Sequence, residues 1–222
     1  MPELPLPVLE VRSLGRIPYG EALTYQEELV RLRRRGEVPD QLLLLEHPPT
    51  ITLGSSSHDS HVLLSEAERS RRGIEMYEVG RGGDVTYHGP GQLVGYPILS
   101  LAPHRKDLHR YLRDLEEVLI LTLEFFDIRA VREDGYTGVW VAEGKLAAIG
   151  VRVSSGWISS HGFALNIDPD RDHFSSIVPC GIHDRSVASM VEVLGRPVDM
   201  EEVLPPLIQS FEKVFSRRAH VV

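Results

Sequence analysis

Cysteine occurs once in these 222 residues, as Cys180 in the stretch Ser175-Ser176-Ile177-Val178-Pro179-Cys180-Gly181. A lone cysteine forms no intramolecular disulfide and supplies no multi-thiolate metal site. Two readings remain, an inert buried thiol or a reactive one. Free cysteine is commonly buried as a small hydrophobe, whereas a single cysteine with base candidates elsewhere in the chain is a known nucleophile pattern. The flanks favour chemistry, because Pro179 fixes φ and removes a donor and Gly181 lets backbone approach a ligand. Lysine is nearly as rare. Of 24 Lys plus Arg, only Lys106, Lys145 and Lys213 are lysines. Lys106 and Lys213 lie in charged, helix-like contexts, but Lys145 follows Gly144 and enters the apolar run Leu146–Val151. Arginine stays protonated in proteins, while a desolvated lysine can give up its proton. Lys145 is therefore either a base or a hairpin lysine with its head in water.

A third feature is the glycine-rich segment 80–98, Gly-Arg-Gly-Gly-Asp-Val-Thr-Tyr-His-Gly-Pro-Gly-Gln-Leu-Val-Gly-Tyr-Pro-Ile, which holds six of the 19 glycines. That density implies close approach of a backbone or a ligand. Neither G-x-G-x-x-G spacing nor a terminal Gly-Lys-Ser/Thr is present, which excludes the Rossmann and P-loop motifs. Interleaved Val85, Tyr87, Leu93, Val94 and Tyr96 argue for a ligand-lining wall rather than a loose loop. His88 and His161 are the histidines nearest to informative sequence, with structural or functional readings open for each. His58 and His61 have a ligand-like interval but lack a third ligand nearby, so zinc is rejected.

These residues need a scaffold. The length and a 42% hydrophobic content suffice for a full core, and the absence of repeats or linkers predicts a single domain spanning 1–222. Helices are expected over 20–35, near 65–72, over 107–126 and from Asp199 to about Phe215, the last with Glu202 completing a capping box and Pro205-Pro206 opening its body or kinking it. Leu42–Leu45 reads as a buried strand, 74–79 as another, and 128–167 as a meander with turns at 143–144 and 154–156. Residues 54–61 form a polar loop, of which the serine-rich part 55–61 is a candidate lid. The expected fold class is α/β or α+β, with a mixed central sheet flanked by helices. Net charge of −8 argues against nucleic acid as a partner. No apolar run approaches the roughly 20 residues that a membrane span requires, and the N-terminus lacks signal-peptide character. A cytoplasmic location is the expectation. The arginine clusters at 31–35 and 69–72 are either solvated helix faces or a docking patch for an acidic partner.

Together the motifs resemble the lipoyl(octanoyl) transferase family. The resemblance rests on 81–98, on Gly144-Lys145-Leu146-Ala147-Ala148-Ile149-Gly150, on His161-Gly162-Phe163-Ala164-Leu165-Asn166 and on Pro179-Cys180-Gly181, in the family's order. Leu45-Glu46-His47-Pro48-Pro49 through Thr52-Leu53-Gly54 adds to it, while Ser55–Ser57 and Val187–Met190 depart from the pattern. It implies a fold similar to the catalytic domain of biotin and lipoate protein ligases. It also implies transfer of an octanoyl group from octanoyl-acyl carrier protein to a specific lysine of a lipoyl domain. The implied acceptors are the lipoyl domains of 2-oxoacid dehydrogenase complexes and the glycine cleavage H protein, and no cofactor is called for. Cys180 would be the thioester-forming nucleophile and Lys145 its partner. Arg81, Gly82, Gly83, Asp84, Val85, Thr86, Tyr87, His88, Ala148, Ile149, Gly150, Gly162, Phe163 and Ala164 would be the substrate-contacting walls.

The chemistry of those side chains is consistent with the implied reaction. A thiol of ordinary pKa near 8.5 is mostly protonated at neutral pH, and a neighbouring ammonium stabilises the thiolate. A neutral Lys145 could then accept the proton of an incoming amine, with backbone N–H groups near Cys180 and on the glycine-rich wall available to an oxyanion. A slot between Val85, Tyr87, Ile149 and Phe163 is expected to measure chain length. Two alternatives remain: an ATP-dependent lipoate or biotin ligase on the same scaffold, and a non-catalytic carrier-binding module with Cys180 buried.

Overall fold

The computed structural model describes residues 5–103, 105–178 and 186–222; Pro179, Cys180 and Gly181 lie outside the described residues. In chain order the elements are β1 (Val8–Arg16), α1 (Tyr19–Arg34), β2 (Asp40–Glu46), β3 (Thr50–Leu53), a 3-10 turn (Asp59–His61), α2 (Glu66–Arg71), β4 (Glu75–Glu78), β5 (Thr86–His88) and β6 (Gln92–Ile98). They continue with α3 (Leu108–Glu124), β7 (Val131–Glu133), β8 (Tyr136–Val141), β9 (Gly144–Ser154), β10 (Ile158–Asn166), α4 (Arg171–Phe174), α5 (Met190–Leu194), α6 (Met200–Phe215) and β11 (Arg218–Val221). The fold is a mixed α/β arrangement, as the sequence predicts.

The run Leu42–Leu45 lies in β2, where it is buried on both faces, as a continuous apolar run requires. An eight-stranded sheet grows from it in the order β11-β1-β2-β6-β10-β9-β8-β7. The β11–β1–β2 edge is parallel and everything from β2 to β7 is antiparallel. Antiparallel neighbours can be joined by tight turns, and the β8–β9–β10 meander uses them at 142–143 and 155–157. α3 and α6 cover one face, where Leu115, Leu119, Phe211 and Phe215 meet Leu42, Leu44 and Leu165. α1 covers the other with Ala22 and Leu29 against Leu43, Leu45, Val94 and Tyr96. A separate three-stranded sheet, β4-β3-β5, carries a small core of Ile51, Leu53, Val85, Tyr87 and Ile177.

The helices begin where their caps dictate. Asp107 accepts from the Arg110 N–H to start α3, and Asp199 with Glu202 forms a capping box on α6. α6 then runs through Pro205 and Pro206. The carbonyls that these prolines leave without an N–H are those of Glu201 and Glu202, exposed residues whose backbone water can satisfy. Among the described residues no helix is long and apolar enough to cross a membrane.

Candidate active site

A cavity of about 540 Å³ opens beside β9 and β10. Beside it three strands pack closely on glycines. Gly150 of β9 faces Gly162 of β10 in register, and Gly95 of β6 faces Phe163. A methyl at Gly162 would overlap the Gly95 carbonyl, and one at Gly95 would overlap the Phe163 ring. These glycines make room for neighbouring backbone and for the Phe163 ring, and Gly150, Gly162 and Phe163 themselves line the cavity. The glycine-rich segment forms one wall and the start of α3, with Leu108 and Leu112, another.

The residues singled out in sequence converge on this cavity. Arg81, Gly82, Gly83, Asp84, Val85, Thr86 and His88 line it, with Lys145, Ala148, Ile149, Gly150, Gly162, Phe163 and Ala164. Tyr87 does not. In β5 alternate side chains face opposite ways, so Thr86 and His88 turn to the cavity while Tyr87 is wholly buried in the core of the small sheet. There its ring packs edge-on to Phe174 and its hydroxyl meets His173 Nδ1 at 2.8 Å. The expected slot therefore loses Tyr87 and retains Val85, Ile149 and Phe163.

Lys145 sits at the start of β9, paired with Trp140, its Nζ 5.0 Å from the Trp140 ring centroid. Its stem lies against Gly138, where a Cβ would come within 3.0 Å of Cε. Both backbone groups of Lys145 are engaged: its N–H donates to Ser186 O (2.9 Å) and its carbonyl accepts from Ala188 N–H (3.0 Å). At the other side Val178 N–H donates to His61 O (2.8 Å). The described residues that bracket 179–185 are thus fastened to His61 and Lys145, both of which line the cavity.

Sequence reasoning named Arg81, His88, His161 and Tyr96 in the polar base of the site, but missed Tyr19 and gave His47 no role. Arg81 is buried and its guanidinium is tied to Thr52, through Nε and Nη2 to Oγ1 and through Nη2 to the carbonyl, and by Nη1 to Gly82 O. Around it stand Tyr19, His47, His88, Tyr96 and His161. Burial pushes His88 down to about 3 and His47 to about 4, and burial followed by the Arg81 charge takes His161 to about 4. All three imidazoles are neutral at pH 7, so Arg81 supplies the fixed positive charge of this group. His47 joins Ile17 O (2.9 Å) to the Tyr96 hydroxyl (2.8 Å), and burial raises the Tyr19 hydroxyl to about 12. His161 holds a left-handed φ of 56° inside a strand, a strained conformation typical of functional sites. Tyr19 carries no local signal, and the convergence of Tyr19, His47 and Tyr96 depends on how α1, β2 and β6 come together.

Three further expectations meet the geometry. The candidate lid is fastened to the wall by Ser55 N–H to Arg81 O, Ser56 N–H to Gly83 O and a 2.6 Å His61–Asp84 pair. The arginines of 31–35 are engaged within the chain: Arg31 with Glu28, Arg33 with Asp40, Arg34 with Ser154 and Arg35 with Glu37. Arg71 and Arg72 are exposed. Gly82 spends its N–H on Val151 O (2.9 Å), which removes it from the candidate oxyanion donors.

Comparison with known proteins agrees with this geometry. Residues 18–212 match the model of the lipoyl protein ligase A/B catalytic domain. The octanoyltransferase of Desulforamulus reducens is 45% identical over 215 residues, covering 96% of this chain and 94% of that protein. The octanoyltransferase of Rubrobacter xylanophilus is 50% identical over 208 residues, covering 93% of each. Among solved structures, lipoate-protein ligase A bound with ATP superposes with a TM-score of 0.77 over 99% of this chain and 90% of that one, at 17% identity. A bi-partite lipoate protein ligase from Thermoplasma acidophilum gives a TM-score of 0.73 at 16% identity, covering 99% and 88%. At such identities the likeness speaks for the fold.

Proposed function

The chain belongs to the lipoyl(octanoyl) transferase family within the lipoyl protein ligase A/B catalytic domain, an acyltransferase serving lipoylation, and from that premise we propose a two-step octanoyl transfer through Cys180. In the first step the Cys180 thiolate attacks the carbonyl of an octanoyl thioester on acyl carrier protein. The tetrahedral oxyanion collapses, the carrier thiolate leaves, and the Lys145 ammonium returns a proton to it. One thioester replaces another, so ATP has no bond to make. In the second step the amine of a lipoyl-domain lysine attacks the Cys180 thioester, an amide forms, and the neutral Lys145 takes the proton that the amine releases. The cysteine departs as the thiolate and the cycle closes. Because the two groups interact, their titration belongs to the pair.

The observation that carries this reading is the place of Lys145. It lines a cavity with an apolar wall of Val85, Ile149, Leu112 and Phe163, and its backbone is bonded to Ser186 and Ala188, just beyond the segment that contains Cys180. An eight-carbon chain enters such a cavity favourably, at about 0.8 kcal/mol per buried CH2. Intact-mass analysis after mixing the enzyme with octanoyl-carrier protein tests the first step. Wild type is expected to gain one octanoyl group without ATP, and Cys180→Ser none. A Cys180→Ser enzyme that still transfers octanoyl to a lipoyl domain refutes the covalent route.

A further inference from the structure

From His88 on the cavity wall runs a line of buried polar side chains that has no part in the two steps above. His88 Nδ1 lies 2.8 Å from Gln92 Oε1, Gln92 Nε2 donates to Asn166 Oδ1 at 2.9 Å, and Asn166 Nδ2 donates to Ala188 O at 3.1 Å. Lys145 O lies 3.5 Å from the same Asn166 nitrogen. The polarity of this line is fixed end to end. A carbonyl only accepts, so the Asn166 amide nitrogen faces Ala188 and its oxygen must accept from Gln92. The Gln92 oxygen is then left to accept, and the proton of the neutral His88 sits on Nδ1. Gln92 is 2% exposed and Asn166 4%, and amides so deeply buried are held in place by partners they cannot exchange for water.

The far end of the line is its significant feature. Lys145 and the strand-like segment 186–188 are laced together by Lys145 N–H to Ser186 O and Ala188 N–H to Lys145 O. Asn166 adds a third bond, from the next strand, to Ala188 O, a carbonyl that neither lacing bond uses. We propose that Asn166, oriented by Gln92, is a positioning residue for the transfer. It sets the register in which the chain returns from the Cys180 segment to Lys145, and so the spacing of thiol and amine. The inference rests on the reading of Cys180 and Lys145 as the reacting pair.

The single cysteine makes a direct test possible. The rate at which iodoacetamide alkylates Cys180 follows the thiolate fraction, so its pH profile reports the thiol's surroundings in the full-length enzyme. Asn166→Asp keeps the shape but removes the donor to Ala188 O. It is expected to fold, to lose about tenfold or more in kcat with KM for the octanoyl-carrier unchanged, and to move the alkylation midpoint up toward that of a free thiol. Lys145→Met is expected to move the midpoint the same way. Should Asn166→Asp not fold, Gln92→Met cuts the line one link earlier and is expected to shift kcat and midpoint in the same directions. Wild-type kcat and an unchanged alkylation profile in the folded variant overturn the positioning role, whatever happens to stability. An unshifted midpoint in Lys145→Met instead refutes the reacting pair, and the two failures are thereby told apart.

Discussion

Gly138→Ala is a single methyl aimed at the seat of Lys145, and its effect can be worked out from the structure. Gly138 sits in β8 at φ 128°, where an L side chain is strained by about 1–3 kcal/mol. The new Cβ would also meet Ala147 O at 2.6 Å and Lys145 Cε at 3.0 Å. Lys145 can swing its flexible end away, but the Ala147 carbonyl belongs to the neighbouring β9 and moves only with its strand. Relaxation therefore falls on the β8–β9 pairing, which already carries a register shift between Val139 and Trp140. Strain and overlap together should cost about 2–4 kcal/mol, or roughly 5–15 °C in melting temperature for a chain of this size. The enzyme should still fold, because a typical domain has about 5–15 kcal/mol to lose. Lys145 Nζ would be pushed off the Trp140 ring, and a misplacement near 1 Å costs about 100-fold in rate. Thermal melting followed by tryptophan fluorescence and single-turnover octanoyl transfer read the two effects separately. A melting point within a degree of wild type, together with unchanged turnover, refutes both the strain argument and the seat.

Lys145→Arg keeps a positive charge but not a base, so it should retain part of the acyl-enzyme burst while losing the second half-reaction. Near wild-type turnover in that variant sinks the proton-transfer role. Stability should fall on acidification. His47, His88 and His161 have folded pKa values of about 4, 3 and 4 against an ordinary 6.5. Below pH 6.5 the unfolded chain binds protons that the folded one refuses. Stability present above 6.5 is therefore lost progressively down to about pH 4. At pH 5 each histidine should already account for about 2 kcal/mol. Denaturant titrations at pH 7 and pH 5 measure it, and a flat profile would contradict the buried neutral imidazoles.

The parts of the molecule that were legible in sequence are those whose cause is local. α3 announces itself through apolar spacing and the Asp107 cap, α6 through Asp199 and Glu202, and β2 through an unbroken leucine run. The β8–β10 meander follows from alternating residues and its turns. β1 was not legible, since its charged Glu10 and Arg12 are satisfied by each other and by Gln41 of the adjacent β2, a partner that only the strand pairing supplies. β5 hid within the glycine-rich segment, and with it the alternation that sends Tyr87 away from the cavity. The pairings of the arginine cluster were legible only in part: Glu28 and Glu37 lie near Arg31 and Arg35 in sequence, whereas Asp40 of a neighbouring strand and the Ser154 hydroxyl of a distant hairpin do not announce themselves.

The rarest residues of the chain gain their meaning from the sheet. Lys145 lies 35 positions before Cys180 in sequence, yet its strand meets the segment following that cysteine through a parallel bridge to Val187. β9 is thus committed on three sides: to Trp140 through β8, to Ala147–Leu165 pairing through β10, and to 186–188 at Lys145. A lysine on so constrained a strand loses little further freedom when it acts, and fixing a reacting group before substrate arrives is a large source of rate. Arginine, the default cation of this chain, would bring charge to the same place but keep its proton. On the proposed mechanism the scarcity of lysine elsewhere has a chemical counterpart here: this position would take a cation that can become a base.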